Sequence, residues 1–233
     1  MAVRISAVTD YLGLTANLPN LDPVTVCAWV YLTSDRNAIG TMFFWSDGSN
    51  FVDVGVSTDG TTLWVVTNNG NTTGTSISTG TWCHLAFVHS GTSLTLYLNA
   101  VSDVARTDAI TFTHTVLLLG SNSVTTWIDG RLAHIKLWNA ALTLGQIQSE
   151  MRTVRPQRLT NLYAWWPTLP GATERARDYG GAHNLAQAGT PTDEDPPPVS
   201  WGAPPLMMGV PPAGAPAITV PPLYFHYEML RMA

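Results

Sequence analysis

Apolar and polar positions alternate in short runs through the first 140 residues of the chain. In the run 24–32 every second residue is apolar, and Cys27, Trp29 and Tyr31 occupy positions between them. Leucines alternate with other residues in the same way over 93–99. A period of two is that of a β-strand, and a strand that is apolar on both faces is covered on both sides. The pattern therefore predicts a sandwich with 24–32 as a central strand.

Turn residues between the runs predict antiparallel hairpins. Asp59-Gly60 and Ser90-Gly91-Thr92 each separate two such runs. An Asp-Gly pair favours a type I′ turn, which needs positive φ at both central positions. The polar stretch 69–80 is predicted to be a loop. Further strands are predicted at 116–120 and 130–138, and this spacing is typical of an all-β, two-sheet antiparallel jelly-roll sandwich.

One short helix is predicted after the last of these strands. Thr143 followed by Gln146 is a capping box, which satisfies two otherwise unpaired backbone N–H groups. Ile147 and Met151 then share one helical face. We expect this helix to occupy about residues 144–152 and to pack against the end of the sandwich.

The chain changes character after Gly189. Eleven of the sixteen prolines lie between Pro191 and Pro222, yet the segment is apolar, whereas a solvated linker is polar. The predicted organisation is a jelly-roll sandwich over residues 1–190 and an extended, proline-rich apolar tail over 191–233. The tail is expected to bury large side chains against a different chain, and the alternative is that it packs on its own sandwich. These side chains are Leu206, Met207, Met208, Leu223, Tyr224, Phe225 and Leu230.

Composition and charge narrow the classes of partner. Charged residues make up 12% of the chain, the net charge is −5, and there are 30 threonines but a single lysine. An acidic chain of this kind offers no basic surface to a nucleic acid. No apolar run approaches the roughly 20 residues that span a bilayer, and the first ten residues lack a signal-peptide pattern. We therefore expect neither nucleic acid nor a membrane as a partner.

No catalytic or cofactor motif accompanies the strand pattern. Glycosidases need two carboxylates that flank one bond, and none of the four glutamates has an acidic neighbour two positions away on a predicted strand. His84 and His134 lie on apolar strands and are interpreted as core residues. Cys27 and Cys83 are either two small apolar residues or one disulfide, and both interpretations stay open. The sequence therefore predicts a protein that is not an enzyme and has no cofactor.

Two kinds of ligand site remain as hypotheses. Turn carboxylates can collect around calcium, although an aspartate in a turn more often bonds the local backbone. The calcium candidates are Asp47, Asp53 and Asp129. A sugar site commonly combines an aromatic platform with amide or carboxylate groups. The sugar candidates are Trp64, Asn68 and Asn69 at one sheet edge, and Trp127 with Asp129 at another.

Several stretches resemble the laminin-G-like, concanavalin A-like jelly-roll superfamily. They are residues 10–12, 24–30, 80–86, 96–99, 129–138 and 141–143. The stretches occur in order over residues 3–152, so the resemblance implies the same fold. A helix after the last core strand is also typical of pentraxin-like members. The pentraxin disulfide is not implied, because the second cysteine of that family lies further past the tryptophan than Cys83 does.

The second half of the chain is similar to laminin-G-like proteins of tailed phages at 155–167, 171–175 and 192–202. This resemblance implies a virion structural protein, above all a capsid decoration or head-surface protein that is assembled in the host cytoplasm. The expected partners are copies of itself and a major capsid or other virion protein, with host surface glycans as a further candidate. A trimer is favoured over a dimer because shells offer local three-fold sites. The alternative function is a carbohydrate-binding module of a cell-surface or secreted protein.

Overall fold

A computed structural model describes residues 1–14, 18, 21–108 and 116–201. These residues form two antiparallel β-sheets and two short helices, which confirms the predicted all-β sandwich. Neither helix in these ranges is long and apolar enough to cross a membrane.

Eight strands form the first sheet. In chain order they are β1 (Ala2–Ile5), β3 (Val24–Leu32), β8 (Trp82–Ser90), β9 (Ser93–Leu98), β10 (Val101–Thr107), β12 (Gly130–Trp138), β13 (Leu162–Trp166) and β15 (Thr192–Glu194). Their spatial order is β10-β9-β8-β3-β12-β1-β15, and β13 also pairs with β12.

Seven strands form the second sheet. They are β2 (Tyr11–Leu14), β4 (Gly40–Ser46), β5 (Phe51–Val56), β6 (Thr62–Thr67), β7 (Gly70–Ser76), β11 (Val116–Leu119) and β14 (Ala186–Ala188). Their spatial order is β14-β2-β11-β4-β5-β6-β7.

The hydrophobic core lies between the two sheets because every second residue of each central strand is apolar. Strand β3 lies between β8 and β12, as predicted, and its even-numbered residues from Val24 to Val30 are fully buried. Val54 on β5 and Val65 on β6 belong to the same core cluster. Burying one such side chain contributes about 1.5–3 kcal/mol to folding. The odd-numbered residues of β5 and the even-numbered residues of β6 consequently face outward.

Both predicted hairpins form. Strands β5 and β6 meet at a turn where Gly60 has φ of +74°, and β8 and β9 meet where Gly91 has φ of +59°. The first turn is not type I′, because Asp59 does not share the positive φ of Gly60. The Asp59 carboxylate instead accepts the backbone N–H groups of Thr61 and Thr62, which holds the turn in a different conformation.

The polar stretch after Asn69 is a strand, so the prediction of a loop was wrong there. Gly70–Ser76 pairs with β6 at the edge of the seven-stranded sheet and is largely exposed on both faces. An edge strand with no covered face has no need of alternating apolar residues, and its threonines favour the extended backbone. Periodicity therefore cannot reveal it.

Helix α1 (Leu144–Met151) confirms the predicted helix and its capping box. The N–H of Gln146 donates to Thr143 Oγ1 at 3.4 Å, and the N–H of Thr143 donates to Gln146 Oε1 at 2.9 Å. Ile147 is fully buried in a cluster with Cys27 and Trp138, which lie on the outer face of the eight-stranded sheet. The helix thus covers one part of that outer face. The expectation that it packs against the end of the sandwich was wrong, because the apolar side chains that Ile147 meets lie on the face of the sheet.

The chain after α1 adds a second helix and three strands to the sandwich. Helix α2 (Ala172–Ala176) was not anticipated from the sequence, since five residues carry no detectable helical period. Strand β15 pairs with β1, so the sheet continues past residue 190, the predicted end of the sandwich. The seven apolar tail residues from Leu206 to Leu230 lie outside the described residues.

The two cysteines are buried free thiols on opposite faces of one sheet. Cys27 packs in the cluster beneath α1, whereas Cys83 belongs to the core between the sheets.

Both predicted core histidines are buried, and desolvation lowers the pKa of His84 and of His134 to about 3. These two imidazoles are therefore neutral at physiological pH.

Candidate functional site

Charge is divided unequally between the two sheets. All arginine and lysine side chains on the described strands belong to the eight-stranded sheet: Arg4, Arg106, Arg131 and Lys136. Within the seven strands of the other sheet, Asp53 on β5 is the only charged residue. A single carboxyl group thus stands in a sheet that is otherwise uncharged.

Aromatic and apolar side chains surround this carboxyl group on the outer face of the seven-stranded sheet. We name the patch formed by Phe44, Phe51, Asp53, Trp64 and Val66 the aromatic face. Phe44 and Phe51 stack with ring centroids 6.1 Å apart and an interplanar angle of 27°. The four apolar members are half-buried, so part of each side chain meets solvent. The patch therefore combines exposed ring surface with one titratable group.

Strand register places Asp53 at the centre of the aromatic face. Asp53 lies directly opposite Phe44 on β4 and opposite Val66 on β6. Its side chain is held by Thr41, whose hydroxyl donates to Asp53 Oδ2 at 2.9 Å. The same hydroxyl is 2.6 Å from Thr126 Oγ1, which completes a short chain of hydrogen bonds.

The second carboxylate oxygen of Asp53, Oδ1, accepts no hydrogen bond from the described residues. Asp53 is only 6% exposed, and Oδ1 is buried without a hydrogen-bond partner in the part of the chain that the structure describes. Burying an acceptor in this way costs about 1–3 kcal/mol. Burial raises the pKa of Asp53 to about 7, although the hydrogen bond from Thr41 opposes the rise. The group is therefore poised to change its charge near neutral pH.

Trp64, on the same face, carries a hydrogen-bond donor that has no partner among the described residues. It lies on β6 opposite Gly55 and Thr73, one diagonal step from Asp53. Its indole Nε1–H is buried and has no acceptor within the described ranges. Diagonal neighbours in a sheet are roughly 7–8 Å apart, which one small polar ligand can bridge. An unpaired acceptor and an unpaired donor thus belong to two diagonal neighbours of one face.

The two asparagines proposed with Trp64 as sugar ligands are engaged in structural hydrogen bonds. Asn68 accepts the N–H of Phe51 at 2.6 Å and donates to the carbonyl of Ser49 at 2.7 Å. Asn69 donates to Asp108 Oδ1 at 2.6 Å. Asn68 therefore fixes Phe51 at one end of the aromatic face, and Trp64 is the member of the original trio that lies within it.

Trp127, the other aromatic sugar candidate, lies at the opposite rim. The guanidinium of Arg36 stacks 3.4 Å from the centroid of its ring and donates to its carbonyl at 2.7 Å. Its neighbour Thr126 is the residue that bonds Thr41 beneath Asp53. Thr41 therefore links Asp53, in the aromatic face, to the residue that precedes Trp127.

The three calcium candidates do not converge. Asp47 accepts the N–H groups of Ser49 and Asn50 within its own turn. Asp129 pairs with Arg4, Nη2 to Oδ1, at 2.5 Å, and Asp53 stands alone in the aromatic face. No group of three or more His, Cys, Asp or Glu side chains able to hold a metal occurs within residues 1–14, 18, 21–108 and 116–201. Asp47 therefore stabilises a turn, Asp129 forms an ion pair, and Asp53 belongs to the aromatic face.

Sequence reasoning missed Phe44 and Phe51 as members of the site. Phe44 is flanked by two core aromatics, Phe43 and Trp45, so its run reads as continuously apolar. The signal that was available is the alternation in Phe51-Val52-Asp53-Val54, which puts Phe51 and Asp53 on one face.

Comparison with known proteins agrees with this architecture. A family model described as the concanavalin A-like lectin/glucanases superfamily matches residues 6–148. No curated protein sequence matches the chain significantly.

Two solved structures illustrate the shared fold. A heptameric SAP-like pentraxin from Limulus polyphemus is 19% identical with a TM-score of 0.51, and the alignment covers 63% of this chain and 79% of that one. A Bacteroides ovatus protein described as a candidate carbohydrate binding protein is 15% identical with a TM-score of 0.58. That alignment covers 82% of this chain and 61% of the Bacteroides protein. At these identities the likeness concerns the fold alone.

Proposed function

Because the chain belongs to the concanavalin A-like lectin/glucanases superfamily, we propose that it is a non-enzymatic carbohydrate-binding protein whose ligand lies on the aromatic face. The observation that carries this proposal is the pair of unpaired polar atoms, Asp53 Oδ1 and Trp64 Nε1, on a face of half-buried rings. A sugar hydroxyl donates one hydrogen bond and accepts others, so vicinal hydroxyls can satisfy both atoms. The exposed ring surface of Phe44, Phe51 and Trp64 can then contact the C–H face of the sugar.

Ligand entry requires a side-chain movement. Asp53 Oδ1 and Trp64 Nε1 are both shielded from solvent. A hydroxyl reaches them only when a neighbouring ring turns aside, and rotamer changes of this size are common when interfaces form. The strands themselves need not move, since Asp53 is anchored through Oδ2 to Thr41.

The number of carboxyl groups supports binding rather than hydrolysis. Glycosidases of the common retaining and inverting types use two carboxyl groups roughly 5–9.5 Å apart. The described strands of the seven-stranded sheet supply one, Asp53. A single carboxyl group can accept a hydroxyl proton in a hydrogen bond but cannot provide both an acid and a nucleophile or base.

A glycan array tests the proposal with the full chain and two ring variants. We expect binding to at least one oligosaccharide, and Trp64→Ala and Phe44→Ala should each weaken it about tenfold or more. The reason is that each ring removes contact area, and Trp64 also removes the N–H donor. Trp82→Ala is the matched control, because Trp82 is half-buried on the outer face of the other sheet beside Tyr31.

Three results would count against the proposal. Binding to no glycan would overturn it. Loss of binding in Trp82→Ala with full binding in Trp64→Ala would place the ligand on the eight-stranded sheet instead. Release of reducing sugar from a bound oligosaccharide would contradict the non-enzymatic assignment.

A second function, as a phage capsid decoration or head-surface protein, is favoured by the apolar proline-rich sequence after residue 202. Seven prolines accompany Leu206, Met207, Met208, Leu223, Tyr224, Phe225 and Leu230 in the last 31 residues. Apolar side chains on a backbone whose φ is already fixed at each proline lose less entropy on docking. In this proposal the segment anchors a homo-oligomer, with a trimer favoured, to a major capsid or other virion protein. Glycan binding by the sandwich and anchoring by the segment are compatible.

Truncation after Gly202 tests the second function. Residues 1–202 form one compact unit with its own core, so the truncated protein should stay folded and soluble. Its oligomeric state by light scattering, and its recovery with purified virions, should both fall sharply relative to the full chain. If the truncated protein assembles and associates normally, the segment is not the anchor.

A further inference from the structure

We propose that the aromatic face takes an uncharged glycan and that Asp53 excludes glycans bearing carboxylate or sulfate groups. The inference rests on the proposed function and adds the chemical class of the ligand. It starts from the distribution of charge between the two sheets rather than from the rings.

An anionic sugar is normally bound by arginine or lysine through charge-assisted hydrogen bonds. The seven strands that carry the aromatic face contain neither residue, whereas the described strands of the other sheet contain four. A carboxylate or sulfate on the ligand would therefore lose its hydration and gain no cation from the sheet.

The loops that the structure describes at the two ends of the face do not supply the missing cation. At the end near Phe51, the turn residue with charge is another acid, Asp47. At the other end, Arg36 stacks on Trp127, and its charge is further balanced by Asp129. The described rim therefore offers an anionic ligand two turn acids, Asp47 and Asp59, and one cation that is already engaged.

Asp53 itself discriminates in the same direction. Its Oδ1 can accept a hydrogen bond from a neutral hydroxyl, which brings no second charge into the site. A ligand carboxylate at the same position would place two like charges close together, where little water screens them. The preference for uncharged sugars therefore comes from one unpaired oxygen together with the absence of basic residues from the sheet.

A matched pair of ligands isolates this effect. The neutral oligosaccharide that binds best on the array is compared, by titration calorimetry at pH 8, with the same oligosaccharide oxidised at C6 to the uronic acid. We expect the full chain to bind the uronic acid at least tenfold more weakly. Asp53→Asn keeps the shape of the side chain and removes its charge. In this variant the difference in log affinity between the neutral sugar and the uronic acid should shrink by at least half. The control is Asp195→Asn, which removes an exposed carboxylate just after β15, a strand of the eight-stranded sheet. This variant should recover none of the lost affinity for the uronic acid.

The outcomes separate this inference from the function on which it rests. Equal or tighter binding of the uronic acid overturns the exclusion of anions while leaving carbohydrate binding in place. Weaker binding of the uronic acid that Asp53→Asn leaves unchanged overturns the role of Asp53. Binding of neither sugar overturns the proposed function and the inference together. Thermal unfolding of each variant confirms that it is folded before the comparison is made.

Discussion

Lys136 Nζ lies 2.9 Å from Glu150 Oε2, and the two side chains are 2% and 1% exposed. The ammonium also donates to the carbonyls of Glu150 and Thr153 at 2.9 and 2.7 Å. The other carboxylate oxygen, Glu150 Oε1, accepts the N–H groups of Gln157 and Arg158. This ion pair therefore joins strand β12 to helix α1 and to the chain that follows the helix. It explains why the only lysine of the protein is a buried residue.

The buried ion pair predicts a large loss of stability when one partner is removed. Lys136→Met should lower the free energy of unfolding by about 3–5 kcal/mol, because the Glu150 carboxylate is left buried without its counter-charge. Denaturant unfolding followed by tryptophan fluorescence measures the loss.

Neutralising both partners gives the control for this prediction. Lys136→Met combined with Glu150→Gln should lose clearly less stability than the sum of the two single variants, since no uncompensated charge remains. Additive losses would show that the pair is not energetically coupled and that packing accounts for the cost.

The capping box predicts a smaller, local effect. Thr143→Ala removes the side-chain oxygen that accepts the N–H of Gln146 and should lower the free energy of unfolding by about 1 kcal/mol. Ser149→Ala, in the same helix and also exposed, should be neutral or slightly stabilising because alanine is the better helix former. A loss in Ser149→Ala equal to that in Thr143→Ala would contradict a role for the cap. Thermal unfolding followed by circular dichroism compares the two.

The raised pKa of Asp53 predicts a stability that falls as pH rises. The unfolded chain ionises Asp53 near the ordinary value of 3.8, whereas the folded protein holds the proton until about pH 7. The folded state therefore binds more protons between these values, and its stability declines from about pH 4 to pH 7 and is level above that range. Asp53→Asn should remove this contribution and be more stable than the parent at pH 8 by on the order of 4 kcal/mol. Chemical unfolding at a series of pH values measures the difference, and parallel curves for both proteins would refute it.

The same proton links ligand binding to pH. A sugar hydroxyl that donates to Asp53 Oδ1 favours the ionised carboxyl group. The affinity for a neutral glycan should therefore rise as the pH increases toward about 7 and level off above it, and binding below that pH should release a proton. Asp53 is the one charged residue on the strands of this sheet as far as the structure describes them, and we therefore take it as the titrating group there. Calorimetry in two buffers of different ionisation enthalpy measures the proton release. Asp53→Asn should bind with a flat pH profile, and proton release that persists in this variant would assign the effect elsewhere.

Several elements were accessible from the sequence because their causes are local. The alternation in Val24–Leu32 identified a strand covered on both faces, Asp59-Gly60 marked a hairpin, and the Thr143 and Gln146 pair located the start of helix α1. Each depends on residues within a few positions of one another, where the period of a strand or the geometry of a cap acts directly. Strand β7 escaped because it is an exposed edge strand and lacks that period.

The aromatic face was decided by tertiary structure. The sequence offered Trp64 and Trp127 as separate sugar candidates and Asp53 as a calcium candidate, with no indication that Phe44 and Val66 flank Asp53. Strand register brings these residues together, and Thr41 joins Asp53 to the loop of Trp127. A shift of one residue in the pairing of β4, β5 or β6 would turn the whole set toward the core. That register is set by the packing of two complete sheets against each other, which no single stretch of the sequence contains.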